Sequence, residues 1–284
     1  MAPRKTSRRS SAKKSRSDDA PIAILSDFGY RDHYVGAMKG VIAGIAPNAR
    51  VIDITHGIAP QAVMAGALAL AQSWRFFPKR TVFLAIVDPG VGSARKSLAI
   101  ETHAGARFVG PDNGVLSLAA KEAGLARIVE LSTAKYRLTN VSATFHGRDI
   151  FAPAAAWLSI GTSLRSLGPT LPEMIHLSIP APIRRDDMLE GRIIYVDGFG
   201  NLITNIDRAT LASFAASFRA DKLLVRIEAG APMEILQAYT GAPAGAPLAI
   251  LGSFDFLEIA VRDGSAASHF GLGEGAPVTV SVSM

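Results

Sequence analysis

Asp88 and Arg95 bracket a short loop, Asp88-Pro89-Gly90-Val91-Gly92-Ser93-Ala94-Arg95. A carboxylate and a guanidinium closing one tight loop can pair, and a carboxylate held this way can orient water or a polar substrate. A purely structural ion pair at a strand end uses the same residues, and their spacing does not separate the two readings. His146, in TFHGRDIFAP at residues 144–153, is a second candidate. An imidazole in a glycine-bearing loop before a helical stretch can exchange a proton near neutral pH, although a lone histidine is more often structural. Asp27 and Asp53 close or nearly close two further apolar runs, where they act either in a site or as helix N-caps.

The elements that must position these groups follow from the pattern around them. Residues 81–87 have the length and composition of a buried strand. Pro89 cannot continue its ladder, and Gly90 and Gly92 permit a tight loop. Asp88 is therefore expected at the carboxyl tip of a central strand, where open α/β sheets bind ligands. Residues 21–25 and 50–54 predict two more strands, and 97–101 and 107–109 a further pair, the last running into GPDNGVL. Val35, Met38, Ile42 and Ile45 share a helical face that Pro47 ends. Pro60 is expected to open a second helix reaching Ala71, and helices are expected at 115–123 and 150–160. Alternating strands and helices predict a mainly parallel sheet. Asp27, Asp53 and Asp88 then lie along one sheet edge.

From about Pro180 the pattern changes to short runs at 191–196, 202–206, 222–227, 248–251, 257–261 and 278–282, separated by Gly, Pro and Asp. This predicts an all-β domain, a small barrel. The expected division is a basic tail at 1–20, an α/β domain at 21–180 and a β-barrel domain at 186–284. The fold class is thus α/β: an amino-terminal, mainly parallel α/β sandwich followed by a smaller barrel.

Composition narrows the function classes. The 284 residues include no cysteine, which removes disulfides and thiolate metal sites. The net charge of +6 is uneven, because seven basic and two acidic residues fall within the first nineteen. That Ser/Lys/Arg-rich stretch predicts a disordered, solvated extension, with nucleic-acid binding the weaker reading. It has no apolar h-region, and no run reaches membrane-spanning length, so a soluble cytoplasmic protein is expected. There is no GxGxxG after a strand, no GxxxxGK[ST] and no HExxH, which weakens dinucleotide, P-loop and zinc-protease readings.

Five motifs in order resemble one family: SDFGYRDHYVGAMKGVI (26–42), VDPGVGSAR (87–95), FVGPDNGVL (108–116), TFHGRDIFAP (144–153) and DGFGNLITNI (197–206). From residue 21 onward the chain resembles the S-adenosyl-L-methionine (SAM) hydroxide adenosyltransferases, the adenosine-forming SAM hydrolases related to the SAM-dependent fluorinase and chlorinase. The resemblance implies the reaction of SAM with water to give adenosine and L-methionine. It implies a homotrimer whose sites join one subunit's first domain to a neighbour's second. It maps a catalytic triad onto Asp88, Arg95 and His146. It maps ribose binding onto Asp27, further substrate contacts onto Asn113 and Phe145, and methionine and adenine contacts onto Asp197, Asn201 and Ser253. The family's Asn-Ser-Phe-Gly is here Gly252-Ser253-Phe254-Asp255, which is expected to bring a new charge to the methionine site.

A sulfonium substrate carries its own leaving group, so the protein need only align an oxygen nucleophile, a gain of about 7–11 kcal/mol. Complete deprotonation of water by a histidine spans about 9 pKa units, roughly 12 kcal/mol, and would cancel that gain. The expectation is proton loss during attack, with His146 accepting it, or a hydroxide stabilised by Arg95 and the sulfonium. Neither metal nor cofactor is required. Three alternatives stand beside this reading. Halide transfer is opposed by Val91 and Gly147, where the resembling halogenases carry hydroxyl residues. A metal-dependent phosphoesterase would use Asp27, Asp53, Asp88 and His56. A non-catalytic SAM-binding protein would keep the Asp27 and Asn201 contacts.

Overall fold

The computed structural model describes residues 19–220, 222–228 and 230–282. Within these bounds the chain forms two compact units that divide between His176 and Leu177. Most of the predicted basic tail lies outside the described residues. Its last residue, Ala20, is buried, and its backbone bonds Ser159 in both directions, so it belongs to the first unit and not to the expected tail.

The first unit is built on β1 (Ile22–Ser26), β2 (Val51–Thr55), β3 (Val82–Ile86), β4 (Ser97–Thr102), β5 (Arg107–Pro111), β6 (Leu125–Glu130) and β7 (Thr170–Leu171). They form one sheet in the order β2-β1-β3-β5-β4-β6-β7, with β2, β1, β3 and β5 mutually parallel. β1 and β3 are buried at every position, which is why they read as continuous apolar runs without alternation.

Four helices cover this sheet: α1 (Tyr34–Ile45), α2 (Val63–Ser73), α3 (Ser117–Glu122) and α4 (Ala152–Ser159). α1 buries Val35, Met38 and Ile42, a helical stripe, and packs against α4, sharing a core with Ile22, Ile24, Leu84 and Ile86. α2 packs against α3 over the other face, where Gly66 approaches Leu25, Val87 and Val115. α2 starts at Val63, not at Pro60, because Gln61 adopts a left-handed φ of 67° and its N–H turns to the Asp27 carboxylate. α4 starts at Ala152, preceded by a π-turn at Gly147–Phe151. Such turns concentrate at functional sites.

The second unit contains β8 (Ile183–Arg185), β9 (Met188–Val196), β10 (Leu202–Asp207), β11 (Leu223–Ile227), β12 (Met233–Leu236), β13 (Pro247–Leu251), β14 (Phe256–Val261) and β15 (Pro277–Val282). The order β10-β14-β13-β12-β11-β15-β9 closes through a β9–β10 pairing, giving a seven-stranded barrel with β8 appended to β9. Leu189, Ile193, Leu202, Val225, Ile259 and Val280 fill its interior. The unit is not all-β. α5 (Arg208–Phe218) follows β10, capped by Asp207, whose side chain accepts the Thr210 N–H. α6 (Ala266–Phe270) is capped likewise by Ser265. Among the described residues no helix is long and apolar enough to cross a membrane.

Candidate active site

Asp88 follows β3 at its carboxyl tip, and the loop after it returns Arg95 to the carboxylate. Arg95 Nε donates to Asp88 Oδ1 at 2.9 Å, and Nη2 donates to Oδ2. The two side chains are only 6% and 9% exposed, so the pair is protected from solvent screening. Nη1 donates to Ser97 Oγ at 2.8 Å, and the guanidinium lies over the Phe151 ring. Nη1 also reaches the Lys96 carbonyl at 3.4 Å, and Nη2 stands 2.8 Å from His146 Nδ1. The three residues expected from sequence therefore meet, with Arg95 at the centre.

That centre fixes the imidazole. A guanidinium has donors and no acceptor, so His146 Nδ1 must be the unprotonated nitrogen and Nε2 carries the hydrogen. Burial lowers the His146 pKa, and the adjacent Arg95 charge lowers it further, against smaller opposing effects of Asp88 and Asp149. The Arg95 charge that makes Nδ1 an acceptor thus works alongside burial against protonation of the ring.

Two packing contacts hold this geometry. Gly92 has a φ of 78°, and a Cβ there would sit 2.4 Å from the Ala143 carbonyl oxygen, so the Asp88–Arg95 loop lies directly on the segment preceding His146. Asp149, fully buried, anchors that segment: Oδ2 accepts the Ser142 N–H at 2.8 Å, and Arg148 clamps both oxygens. Although burial pushes the Asp149 carboxyl up, Arg148 and the Ser142 N–H hold it below the usual range.

The other expected residues of the first unit fall nearby. Asn113 donates from Nδ2 to the Val87 carbonyl at 2.8 Å, and its Oδ1 accepts the Val115 N–H, locking the β5 exit to the β3 tip. Phe145 stands edge-on to Phe28 and Tyr34, with Arg148 over its face. Asp27 is half-buried after β1, and its Oδ2 accepts the Gln61 N–H at 2.8 Å. Neither Asp27 nor Asp53 supplies a helix N-cap, since the caps of α1 and α2 are His33 and Ala62 without side-chain bonds. Among the described residues no three His, Cys, Asp or Glu side chains converge to hold a metal, so the phosphoesterase set of Asp27, Asp53, Asp88 and His56 is not assembled.

In the second unit Asp197 closes the β9–β10 turn. Its Oδ1 accepts the N–H groups of Phe199 and Asn201, and its Oδ2 accepts Asn201 Nδ2 at 2.9 Å. Asn201 lines a cavity of about 500 Å³ with Phe199, Tyr239 and Arg262. Burial, with the charge of Asp197, raises the pKa of Glu258, which accepts the Tyr239 hydroxyl hydrogen bond. Ser253 is exposed in the β13–β14 turn. Gly252 lets the Glu258 carboxylate lie directly against its backbone, since a Cβ there would fall 1.7 Å from Oε1. Asp255 does not present an unpaired charge: it accepts Arg208 Nε at 2.6 Å. Ser26 and Asp149 lie within two of the five motifs without any signal that separates them from their neighbours, and Tyr239 and Glu258 lie outside all five.

A mixed sheet, parallel at its centre, with an Asp–Arg–His cluster gathered at the β3 tip, and a closed barrel with a polar turn beside a cavity make up the two units of an α/β-plus-barrel protein. The chain belongs to the SAM hydroxide adenosyltransferase family, whose N-terminal domain matches residues 22–168 and whose C-terminal domain matches residues 191–279. It is 37% identical over 265 residues to a protein of Thermus thermophilus named (R)-S-adenosyl-L-methionine hydrolase, covering 91% of this chain and 98% of that one. A protein of the same name from Salinispora arenicola is 38% identical, covering 87% and 92%. A fluorinase of Nocardia brasiliensis is more distant, at 30% identity over 92% and 96%. A solved structure of an uncharacterized conserved protein from Thermotoga maritima superposes with a TM-score of 0.84 at 37% identity, covering 92% of this chain and 99% of that one.

Proposed function

We propose that this chain is an S-adenosyl-L-methionine hydrolase that forms adenosine and L-methionine. The observation that carries the proposal is Arg95 bridging Asp88 and His146 in a site with little access to solvent. Water attacks the 5′ carbon of the ribose. The carbon–sulfur bond breaks with its electron pair passing to sulfur, and a neutral thioether leaves. The attacking oxygen becomes a strong acid only as its bond to carbon forms, so its proton is best lost late. His146 is poorly placed to take it, because its Nδ1 lone pair faces Arg95 and its Nε2 already bears hydrogen. We assign His146 the task of donating from Nε2 to the water or a substrate oxygen. We assign Asp88 the proton, since a carboxylate offers about four lone-pair directions and Arg95 does not fill them.

Asp27 binds the ribose hydroxyls, with Asn113 and Phe145 shaping the site around them. Asp197, Asn201 and Ser253 take the methionine and adenine parts. The reading uses no metal or cofactor. The family resemblance supports a homotrimer whose sites join units of two subunits, and a cytoplasmic location belongs to the same reading. Halide transfer is disfavoured at Gly147, where a Cβ would lie 3.1 Å from Met38 Sδ and 3.3 Å from the Phe145 ring, leaving a hydroxyl side chain no room without displacement.

The test is incubation of the purified protein with each sulfonium epimer of SAM in heavy-oxygen water. The relatives' names direct attention to the (R) epimer. Adenosine labelled at its 5′ oxygen is expected. Asp88→Ala and His146→Ala are each expected to lower turnover by roughly two to four orders of magnitude while SAM still binds. Unlabelled adenosine, or near-normal turnover in both variants, rejects the proposal.

A further inference from the structure

A second buried group of titratable side chains lies at the same sheet edge and is not used by the chemistry above. Ser26 is fully buried at the end of β1, and His56, just after β2, is 1% exposed. Ser26 Oγ is 2.6 Å from His56 Nδ1. Across the ring, Nε2 is 3.2 Å from Asp53 Oδ1. Both of those atoms are buried and, among the described residues, neither makes a hydrogen bond, so the pair is an electrostatic contact in which the carboxylate faces Nε2. Asp53 Oδ2 accepts Lys39 Nζ at 2.7 Å and the Tyr30 hydroxyl at 3.1 Å, and the Tyr30 ring stands edge-on to the imidazole.

The hydrogens in this array are determined. Burial pushes the Asp53 carboxyl up, but Lys39 and His56 outweigh it and keep the group ionised, so it only accepts. His56 must then carry its hydrogen on Nε2. Nδ1 is left as an acceptor, and the Ser26 hydroxyl donates to it. The Ser26 oxygen in turn accepts the Phe28 N–H at 3.3 Å. The backbone carbonyl of His56 accepts the Gly29 N–H at 2.8 Å. His56 thus holds the segment 26–29 at both ends, by its side chain at Ser26 and by its carbonyl at Gly29. Carboxylate, imidazole and hydroxyl occur in the order of an acyl-transfer triad, but no substrate can reach a fully buried serine. What the clamp encloses is Asp27.

We propose that His56, with its tautomer set by Asp53, is a positioning residue that aims the Asp27 carboxylate at the ribose hydroxyls. This rests on the ribose role assigned to Asp27 above. Among the described residues the Asp27 carboxylate accepts one hydrogen bond, from the Gln61 N–H to Oδ2, so its direction depends on the backbone of 26–29. Loosening the clamp weakens substrate capture and leaves the Asp88–Arg95–His146 chemistry intact once substrate is bound.

The test is steady-state kinetics on the full chain. His56→Leu keeps the bulk and removes the acceptor; it is expected to raise KM for SAM about tenfold, with kcat within about threefold. His56→Asn, whose amide oxygen can occupy the Nδ1 position, is expected to recover most of the loss, which a mere packing role would not produce. Should His56→Leu fail to fold, Asp53→Asn, which frees the tautomer without a cavity, is expected to raise KM in the same direction. Asp27→Asn is then combined with the clamp variant. If His56 acts through Asp27, the double variant has the KM of Asp27→Asn alone. Additive effects, a fall in kcat at unchanged KM, or no rescue by asparagine overturn the clamp while leaving Asp27 at the ribose. An unchanged KM in Asp27→Asn rejects the ribose role and the clamp with it, and leaves the hydrolase chemistry standing.

Discussion

Arg95 Nη2 stands 2.8 Å from His146 Nδ1, and an arginine offers only hydrogens. Protonating His146 would put a second donor against the first. Burial and Arg95 both hold its pKa below the free-imidazole value, so the neutral acceptor persists through the neutral range. The expected profile of kcat/KM is flat near pH 7 and falls on the acid side, with a midpoint below about 6.5. His146→Asn keeps an acceptor for Arg95 but cannot titrate, so it should retain more activity than His146→Ala and lose that acid limb. A wild-type limb centred above about 6.5, or one that survives in His146→Asn, removes His146 from this role.

Stability should follow the same sign. His56 is also shifted down, mainly by burial, which outweighs the attraction of the Asp53 carboxylate. Both histidines are neutral when folded and take up protons more readily when unfolded. Above about pH 6.5 they are neutral in both states and contribute no slope; below it the unfolded chain binds more protons and stability falls. Denaturant titrations from pH 7.5 down to 5 would show this as a decrease that His56→Asn and His146→Asn each reduce. A decrease unaffected by either variant would assign the acid sensitivity elsewhere.

Gly92 tests how the triad is held together. Its left-handed φ and its 2.4 Å approach to the Ala143 carbonyl leave no place for a methyl group. Gly92→Ala is expected to lose about 2 kcal/mol or more of stability. It should also lower kcat more than tenfold, because the Arg95 loop is pushed from the segment carrying His146. Thermal unfolding and turnover measured together check this, and a stable, fully active variant would show that the two loops can separate without cost.

The β1 and β3 tips were legible because those apolar runs break off at Asp27 and Asp88, whereas Asp88, Arg95 and His146 were single candidates that only the family resemblance joined into a triad. Other parts carried too little signal. β6 follows α3 across Ala123 and Gly124, and only Ile128 and Val129 in it are buried. α5 reads Arg-Ala-Thr-Leu-Ala-Ser-Phe-Ala-Ala-Ser-Phe, with only Leu211 and Phe214 buried, so its stripe is faint amid small residues. The π-turn before α4 has a period that no apolar stripe marks. The Ser26–His56 contact joins residues thirty apart through a parallel pairing, and a pattern along one strand cannot show it.

Asp255 separates local strain from local charge. It occupies a left-handed φ of 64°, where the family's glycine is at ease, and it pairs with Arg208. Both partners are more than half exposed, so the pair contributes at most about 1 kcal/mol. Restoring glycine relieves a backbone cost of similar size. Asp255→Gly should change stability by less than about 1 kcal/mol and leave KM for SAM unaltered, since the carboxylate's charge is already matched. Chemical denaturation and kinetics on the variant decide it. A several-fold fall in KM would mean that Asp255 does repel substrate despite Arg208.

The residues assigned to substrate divide between the units: Asp27, Asp88, Arg95 and His146 in the first, Asp197, Asn201 and Ser253 in the second. If sites form between subunits, each needs one intact first unit and one intact second unit, from different chains. His146→Ala and Asn201→Ala should each be inactive alone. Dissociated, mixed and reassembled, they should regain activity, because some interfaces then pair the sound halves of the two chains. Sites built within one chain could not be repaired this way, since every chain carries its own lesion. The mixture should also sediment as a trimer, and its activity should vanish on dilution below the assembly range. An active monomer, or silent mixed trimers from two inactive parents, would place each site within a single chain and leave the hydrolysis itself to the labelled-water experiment.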